Sequence, residues 1–392
     1  MKNAFASWKI YLAIFSGLLV TAYLIYSNLQ ANHFIKAASN QGTHCWIDGN
    51  LNHKVDANLD EDFKICKSGT YKKEQISDLL KGLNWESSTF LWLALAVVCM
   101  FGRDVFYMLR IKILTKNQLT WNSSFYVILL WEFASALSPG VVGGASVAMF
   151  ILNKEKINLG RSTSIVLITA LMDNLFFILL IPIVFLFVAP SVVFPTHSSI
   201  DKSIAVVFWI GFGILFLVCF LLFISIFIAP KSLGRLLLFV CKLPFLTKFT
   251  AKVNQLDADI QTSSHVLKNE PWKFWTTSFL ATLGSWSCRY LVINCILAAF
   301  LPLSFSQHFF VLGKQLVLWL FMLVSPTPGG SGIAEFAFGE LLGELSNSAL
   351  LIIALAIIWR LISYFPYLII GAVILPKWWS RLSKPNQLER TL

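Results

Sequence analysis

A chain of 392 residues that is 57% apolar and only 13% charged, with a mean hydropathy of +0.70, has too little polar surface to solvate a globular domain of its size. That balance excludes a soluble enzyme and makes lipid the solvent for much of the chain. The net charge of +11 does not point to nucleic acid, because lysines and arginines gather at the ends of apolar runs and no patch interleaves basic with aromatic residues.

Apolar runs that approach the roughly 20 residues needed to cross about 30 Å of hydrocarbon recur at 7–27, 88–102, 162–189, 203–229, 272–301, 307–325 and 348–376. Each is predicted to be helical, since a lone strand cannot satisfy its backbone in lipid. No stretch alternates as an outer-membrane barrel does. The start, Met1 to Lys9 and the run behind it, resembles a signal peptide but lacks a small-residue cleavage site, so it reads as an uncleaved first span.

The polar loop 28–88 holds Cys45 and Cys66, while Cys99, Cys219, Cys288 and Cys295 lie in spans and Cys241 in a basic loop. None has metal-ligand spacing, and no metal or other cofactor is predicted. A Cys45–Cys66 disulfide would close about 20 residues and stabilise the fold by roughly 3 kcal/mol. It requires an extracytoplasmic loop; the alternative is two unpaired thiols. The lysines of this loop are matched by acids such as Asp48, Asp56, Asp60 and Glu61, which suits the outer face.

Three basic clusters set the topology: Arg103, Arg110, Lys112 and Lys116; Lys231, Arg235, Lys242, Lys248 and Lys252; and Lys377, Arg381, Lys384 and Arg390. By the positive-inside rule all three are cytoplasmic, and so are both termini of a multi-pass inner-membrane protein. Arg103 and Arg110 read here as orientation anchors at a span end.

Two apolar stretches are broken in the middle. Residues 117–155 are interrupted by Ser138, Pro139 and Gly140 and by Gly143 and Gly144, with basic residues on both flanks, as a re-entrant hairpin from the cytoplasm requires. Residues 307–346 are interrupted by Ser325, Pro326, Thr327, Pro328, Gly329, Gly330, Ser331 and Gly332, and this hairpin enters from outside. The predicted fold is therefore an all-α integral membrane protein. It is an inverted-topology repeat of six full transmembrane helices and two re-entrant broken-helix hairpins: residues 1–190, residues 200–380 with a basic amphipathic loop at 230–271, and a tail at 381–392. Such repeats place a substrate near the midplane, where broken helices meet.

The glycine-rich breaks expose amides that suit an anionic phosphate, though the same glycines also serve tight turns and close packing. Ionisable residues within spans cost at least about 2.5–3.5 kcal/mol at the bilayer centre and normally face a partner or cavity. They are Glu132, Asp173, Arg289, Lys314, Glu335, Glu340 and Arg360, with Glu335 placed to meet Arg289 or Arg360. Arginines and a lysine near such breaks favour a lipid phosphate. No phosphate-binding loop of the Walker type and no H-E-x-x-H occurs, so energy input falls to a proton or ion gradient, the membrane potential or downhill lipid movement.

Several of these residues resemble the membrane domain of lysylphosphatidylglycerol synthases, their flippase half and its stand-alone relatives. The likeness rests on Phe133 to Gly140 with Gly143 and Gly144, on Asp173, on Pro326 to Gly332 with Glu335, and on Arg360 within Trp359 to Tyr364. It covers about residues 85–376 and implies movement of a polar or aminoacylated lipid between leaflets. No aminoacyl-transferase domain follows Leu392, so a stand-alone member that does not make lysyl-lipid is expected. The expected partners are membrane phospholipids, with a homo-oligomer left open. The expected function is lipid transport by a non-enzyme; the alternatives are a membrane transferase acting on a lipid-linked substrate through Asp173 and Glu335, and a non-transporting assembly subunit.

Overall fold

The computed structural model describes residues 32–37, 42–49, 60–75, 85–138, 142–194, 199–229, 250–267, 269–325 and 327–383, with single positions and pairs elsewhere. Most of the span expected at 7–27, most of 230–249, Pro139, Gly140, Pro326 and residues 384–392 lie outside them. The described elements are four strands, β1 (Phe34–Lys36), β2 (Gly42–Trp46), β3 (Phe63–Gly69) and β4 (Tyr71–Lys73). The main helices are α1 (Ser87–Leu114), α2 (Trp121–Leu137), α3 (Val142–Lys154), α4 (Leu159–Phe187), α5 (Ser199–Phe223), α6 (Thr250–Leu267), α7 (Trp272–Phe300), α8 (Phe305–Val324), α9 (Ile333–Leu342), α10 (Ala349–Ser363) and α11 (Phe365–Ser383).

The protein is an all-α integral membrane protein with one small sheet. Five described segments are long and apolar enough to cross a membrane: Ser87–Leu114, Leu159–Phe187, Ile204–Ile228, Trp272–Phe300 and Ala349–Leu382. The last, expected at 348–376, carries a local break. Helix α10 ends at Ser363, Tyr364 leaves helical geometry, and α11 restarts at Phe365. Pro366 has no N–H to offer the Ile362 carbonyl and its ring crowds that carbonyl, which breaks the ladder two residues upstream, at Tyr364.

The chain divides into two compact units, residues 1–98 with 291–366 and residues 99–290 with 367–392. In the first, the 28–88 loop forms an antiparallel sheet of order β1-β4-β2-β3. Phe34 stacks on Phe63 at 4.2 Å, Phe63 meets Tyr71 edge-on, and Cys45 is bonded to Cys66, as the sequence predicts. Just beyond β4, the buried Glu74 carboxylate accepts from the Ser348 hydroxyl and, at 3.3 Å, from the Leu350 amide. A carboxylate at a helix N-terminus satisfies amides that lack an intrahelical partner and complements the dipole; here it fastens the sheet to α10. Helix α8 packs on α9 across the Ser325–Gly332 turn.

In the second unit, α2 and α3 form a helical pair. At about 1.5 Å per residue they reach only about 26 and 20 Å, short of a full crossing. They lie close because Gly144 sits against Ser135, where a Cβ would have no room. Side chains from both flanks converge on one carboxylate: Lys116 and Arg161 pair with the buried Glu270 at 2.8 and 3.3 Å. The chain thus leaves and re-enters this pair at the same end. There Arg381 and Trp378 of α11 also engage Glu155, just past α3. Ile111, Leu114, Val127, Leu130, Ile151, Leu152, Ile165 and Ile168 fill the core of this unit.

Candidate functional site

Among the described residues, each unit holds a buried polar centre built on an arginine. In the first, the break between α8 and α9 winds through three glycines at positive φ, Gly329 (58°), Gly330 (69°) and Gly332 (89°), a region that costs other residues about 1–2 kcal/mol. The turn is tied from within. Thr327 Oγ1 donates to the Ser331 carbonyl at 2.9 Å, and Ser331 Oγ donates to the Pro328 carbonyl at 3.0 Å. The amides of Gly330 and Ser331 donate to the carbonyls of Thr327 and Pro328. The Gly332 amide donates to Glu335 Oε2 at 2.6 Å.

Arg360 closes the arrangement from α10. Fully buried, it donates from both Nη atoms to the Gly329 carbonyl at 3.1 Å, and from Nη2 to Ser331 Oγ at 3.2 Å. Its Nε pairs with Glu335 Oε1 at 2.8 Å, and its guanidinium lies 3.8 Å from the centre of the Tyr364 ring. Of the two partners considered for Glu335, Arg360 is the one it meets. Lys314, also buried, pairs with Glu344 at 2.7 Å and lies over Phe310. Glu340 is exposed.

The second centre overturns one reading. The apolar run ends near Gly102, but α1 continues unbroken to Leu114, so Arg103 and Arg110 are not anchors beyond a span. They are buried side chains inside a helix of 28 residues. With Tyr107 they occupy positions i, i+4 and i+7, one face of the helix. Arg103, fully buried, pairs with Asp104 at 3.1 Å and with Glu132 of α2, and lies 4.8 and 5.0 Å from the rings of Tyr107 and Tyr367. The Tyr367 hydroxyl, from α11, donates to Asp104 at 2.7 Å. Arg110 pairs with Asp173 of α4 at 2.5 Å and donates to Thr282 at 3.1 Å, while Trp286 Nε1 donates to the same Asp173 oxygen at 2.8 Å.

Arg289 stands apart. Half-buried near the middle of α7, it packs over Trp286 at 5.5 Å and makes no hydrogen bond or ion pair among the described residues. It lies within electrostatic reach of Glu132 and Asp104. Ser138 caps the end of α2 with its amide on the Ala134 carbonyl, and Gly143 and Gly144 lie within the first turn of α3.

Of the residues singled out from the sequence, Glu335 and Arg360 meet in the first centre and Asp173 and Glu132 lie in the second with Arg103 and Arg110, which the sequence reading took for anchors; Asp104, Tyr107 and Tyr367 were not named. The helical spacing of Arg103, Tyr107 and Arg110 was the available signal.

Comparison with known proteins adds a lineage. Residues 71–371 match the family described as Lysylphosphatidylglycerol synthase TM region. A UPF0104 membrane protein of Archaeoglobus fulgidus is 27% identical over 312 residues, covering 75% of this chain and 87% of that one. No solved structure matches.

Proposed function

Because the chain belongs to the family of lysylphosphatidylglycerol synthase transmembrane regions, a multi-pass membrane family whose description points to lipid handling, we propose that it moves a lipid with an anionic headgroup phosphate between the leaflets of the inner membrane. The observation that carries this reading is Arg289. A guanidinium in the middle of a membrane helix needs an anion, and Arg289 makes no direct ion pair among the described residues. Arginine forms two parallel hydrogen bonds to a phosphate, so a passing headgroup suits the vacancy in its pairing. Trp286 beside it is pinned through Nε1 to Asp173, which fixes the surface on which the guanidinium rests.

The orientation follows from charge. The end of the second unit where Lys116, Arg161 and Arg381 gather is cytoplasmic by the positive-inside rule, and the disulfide-bonded sheet is extracytoplasmic. The α2–α3 pair then enters and leaves from the cytoplasm as a re-entrant hairpin, and the glycine turn before α9 is its counterpart in an inverted repeat. Acyl chains stay in lipid while the headgroup is handed past Arg289. The transferase alternative needs a free pair of carboxylates, whereas Asp173 and Glu335 are each held by an arginine.

Scrambling of fluorescent headgroup- or chain-labelled lipids in proteoliposomes tests this. Movement of labelled phosphatidylglycerol is expected for the wild type, and Arg289→Gln should slow it at least about tenfold, the loss of one charge-assisted contact. Wild-type protein that moves no lipid faster than empty vesicles would overturn it.

A further inference from the structure

In the first unit, α8 and α9 climb from one turn to different heights. At about 1.5 Å per residue, the ten residues of α9 end about 15 Å above the turn, level with Lys314 halfway along the twenty residues of α8. That is how Glu344, in the short helical turn Gly343–Leu345 just past α9, reaches the Lys314 ammonium at 2.7 Å. The two partners stand in different surroundings. The Lys314 side chain is 4% exposed and lies over the Phe310 ring, whereas that of Glu344 is 53% exposed. A half-exposed carboxylate leaves such a pair at little cost, because water solvates it at once. The ammonium is fixed in an apolar helix and has to be met by whatever anion takes over. Arg360 and Glu335, at 2% and 12%, are enclosed together and have no such exit.

Room for an incoming anion lies beside the carboxylate. Gly339 and Gly343 stand four residues apart on one face of α9, and among the described residues nothing comes within 4 Å of where a Cβ would be on either. Gly343 has an ordinary helical φ of −58°, so no left-handed turn calls for it. Glycine is a poor helix former, and the effect of these two is to leave the face next to Glu344 clear. One position beyond Lys314, Gln315 Nε2 is buried with no acceptor among the described residues, so this level of α8 has a donor to spare.

We propose that Lys314 is a phosphate-binding residue with an exchangeable partner: the phosphate of a lipid headgroup displaces Glu344, which turns to water, and takes its place on the ammonium. The inference deepens the lipid-transport reading and rests on it, adding a headgroup contact in the first unit to the one at Arg289. Only ion-pair partners exchange; no covalent bond forms or breaks. An ammonium meets a phosphate as a point charge, so the headgroup is held there without a fixed orientation.

Binding of short-chain phosphatidylglycerol to the purified full-length protein in detergent, followed by calorimetry, tests the exchange through its sign. Glu344→Gln removes the competitor and should lower the Kd at least about threefold, since a partly exposed pair occupies the lysine for much of the time. Glu340→Gln, the same loss of charge about one turn earlier on α9, should leave the Kd at the wild-type value. Lys314→Gln should weaken binding at least about tenfold, and adding Glu344→Gln to it should bring no gain. If Lys314→Gln fails to fold, the exchange is still read as a larger lipid-induced rise in Tm for Glu344→Gln than for the wild type. Glycerol 3-phosphate, the same chemistry without acyl chains, should bind more weakly than the lipid, and equal binding would overturn a lipid as the source of the phosphate. Binding unchanged or weakened in Glu344→Gln, or strengthened equally in Glu340→Gln, would overturn the exchange and leave transport standing wherever the wild type still scrambles lipid. Wild-type protein that neither binds phosphatidylglycerol nor scrambles it would overturn transport and the exchange with it.

Discussion

Arg360 and Arg103 are both sealed arginines in membrane helices, yet they are used in opposite ways. Around Arg360 the charge is met by one carboxylate, and both Nη groups have fixed acceptors from the chain, a backbone carbonyl and a hydroxyl. The centre is neutral and its purpose is to hold a turn that glycine alone can make. Around Arg103 two carboxylates compete for one guanidinium, with a second arginine near but unattached. A satisfied ion pair resists change; an unbalanced one answers to whatever charge arrives. On the lipid-transport proposal, the contrast separates residues that hold the fold from residues that meet the cargo.

Four substitutions sharpen that contrast. Arg360→Ala leaves the Glu335 carboxylate and the Gly329 carbonyl buried without their partner and should cost about 3–5 kcal/mol. It would appear as a sharp fall in Tm in detergent and in the yield of monodisperse protein, and a variant of wild-type stability that had lost transport would move Arg360 into the working machinery. Next, Cys45→Ser should weaken the sheet by roughly 3 kcal/mol through the loop of 21 residues that it frees. Limited proteolysis should then cut within 34–73 while the helices stay resistant. Gly329→Ala, at positive φ and against the Tyr364 ring, should cost about 2 kcal/mol, again read as Tm. Arg289→Gln should change Tm least, within about 1 kcal/mol, because no ion pair among the described residues is lost. Its effect belongs in lipid binding, and a large stability loss would mean that Arg289 is another staple.

Much of the architecture is written in the sequence because lipid imposes coarse rules. Long apolar runs gave the spans, and Pro and Gly marked both breaks where an unbroken helix could not continue. The Cys45–Cys66 bond was legible because only those two cysteines share a polar loop. Hydropathy misled at Arg103 for a definite reason: it scores a charge as the end of a span, whereas Glu132 and Asp104, remote or silent in the linear pattern, neutralise it inside one. The break at Tyr364 was signalled by Pro366 but hidden in a run whose average hydropathy stays high. The sheet escaped because its strands are short and its alternation is thin, as in Phe63–Gly69, where most side chains are exposed.

The clamp made by Glu74 carries a consequence for biosynthesis. Its partner Ser348 lies 274 residues further along, so the carboxylate is made far earlier in translation than the amides it caps. When the ribosome reaches α10, the Glu74 carboxylate that will cap it has already been made. The start of α10 is thus capped by a residue made 274 residues earlier, so that end closes on a part of the chain that already exists.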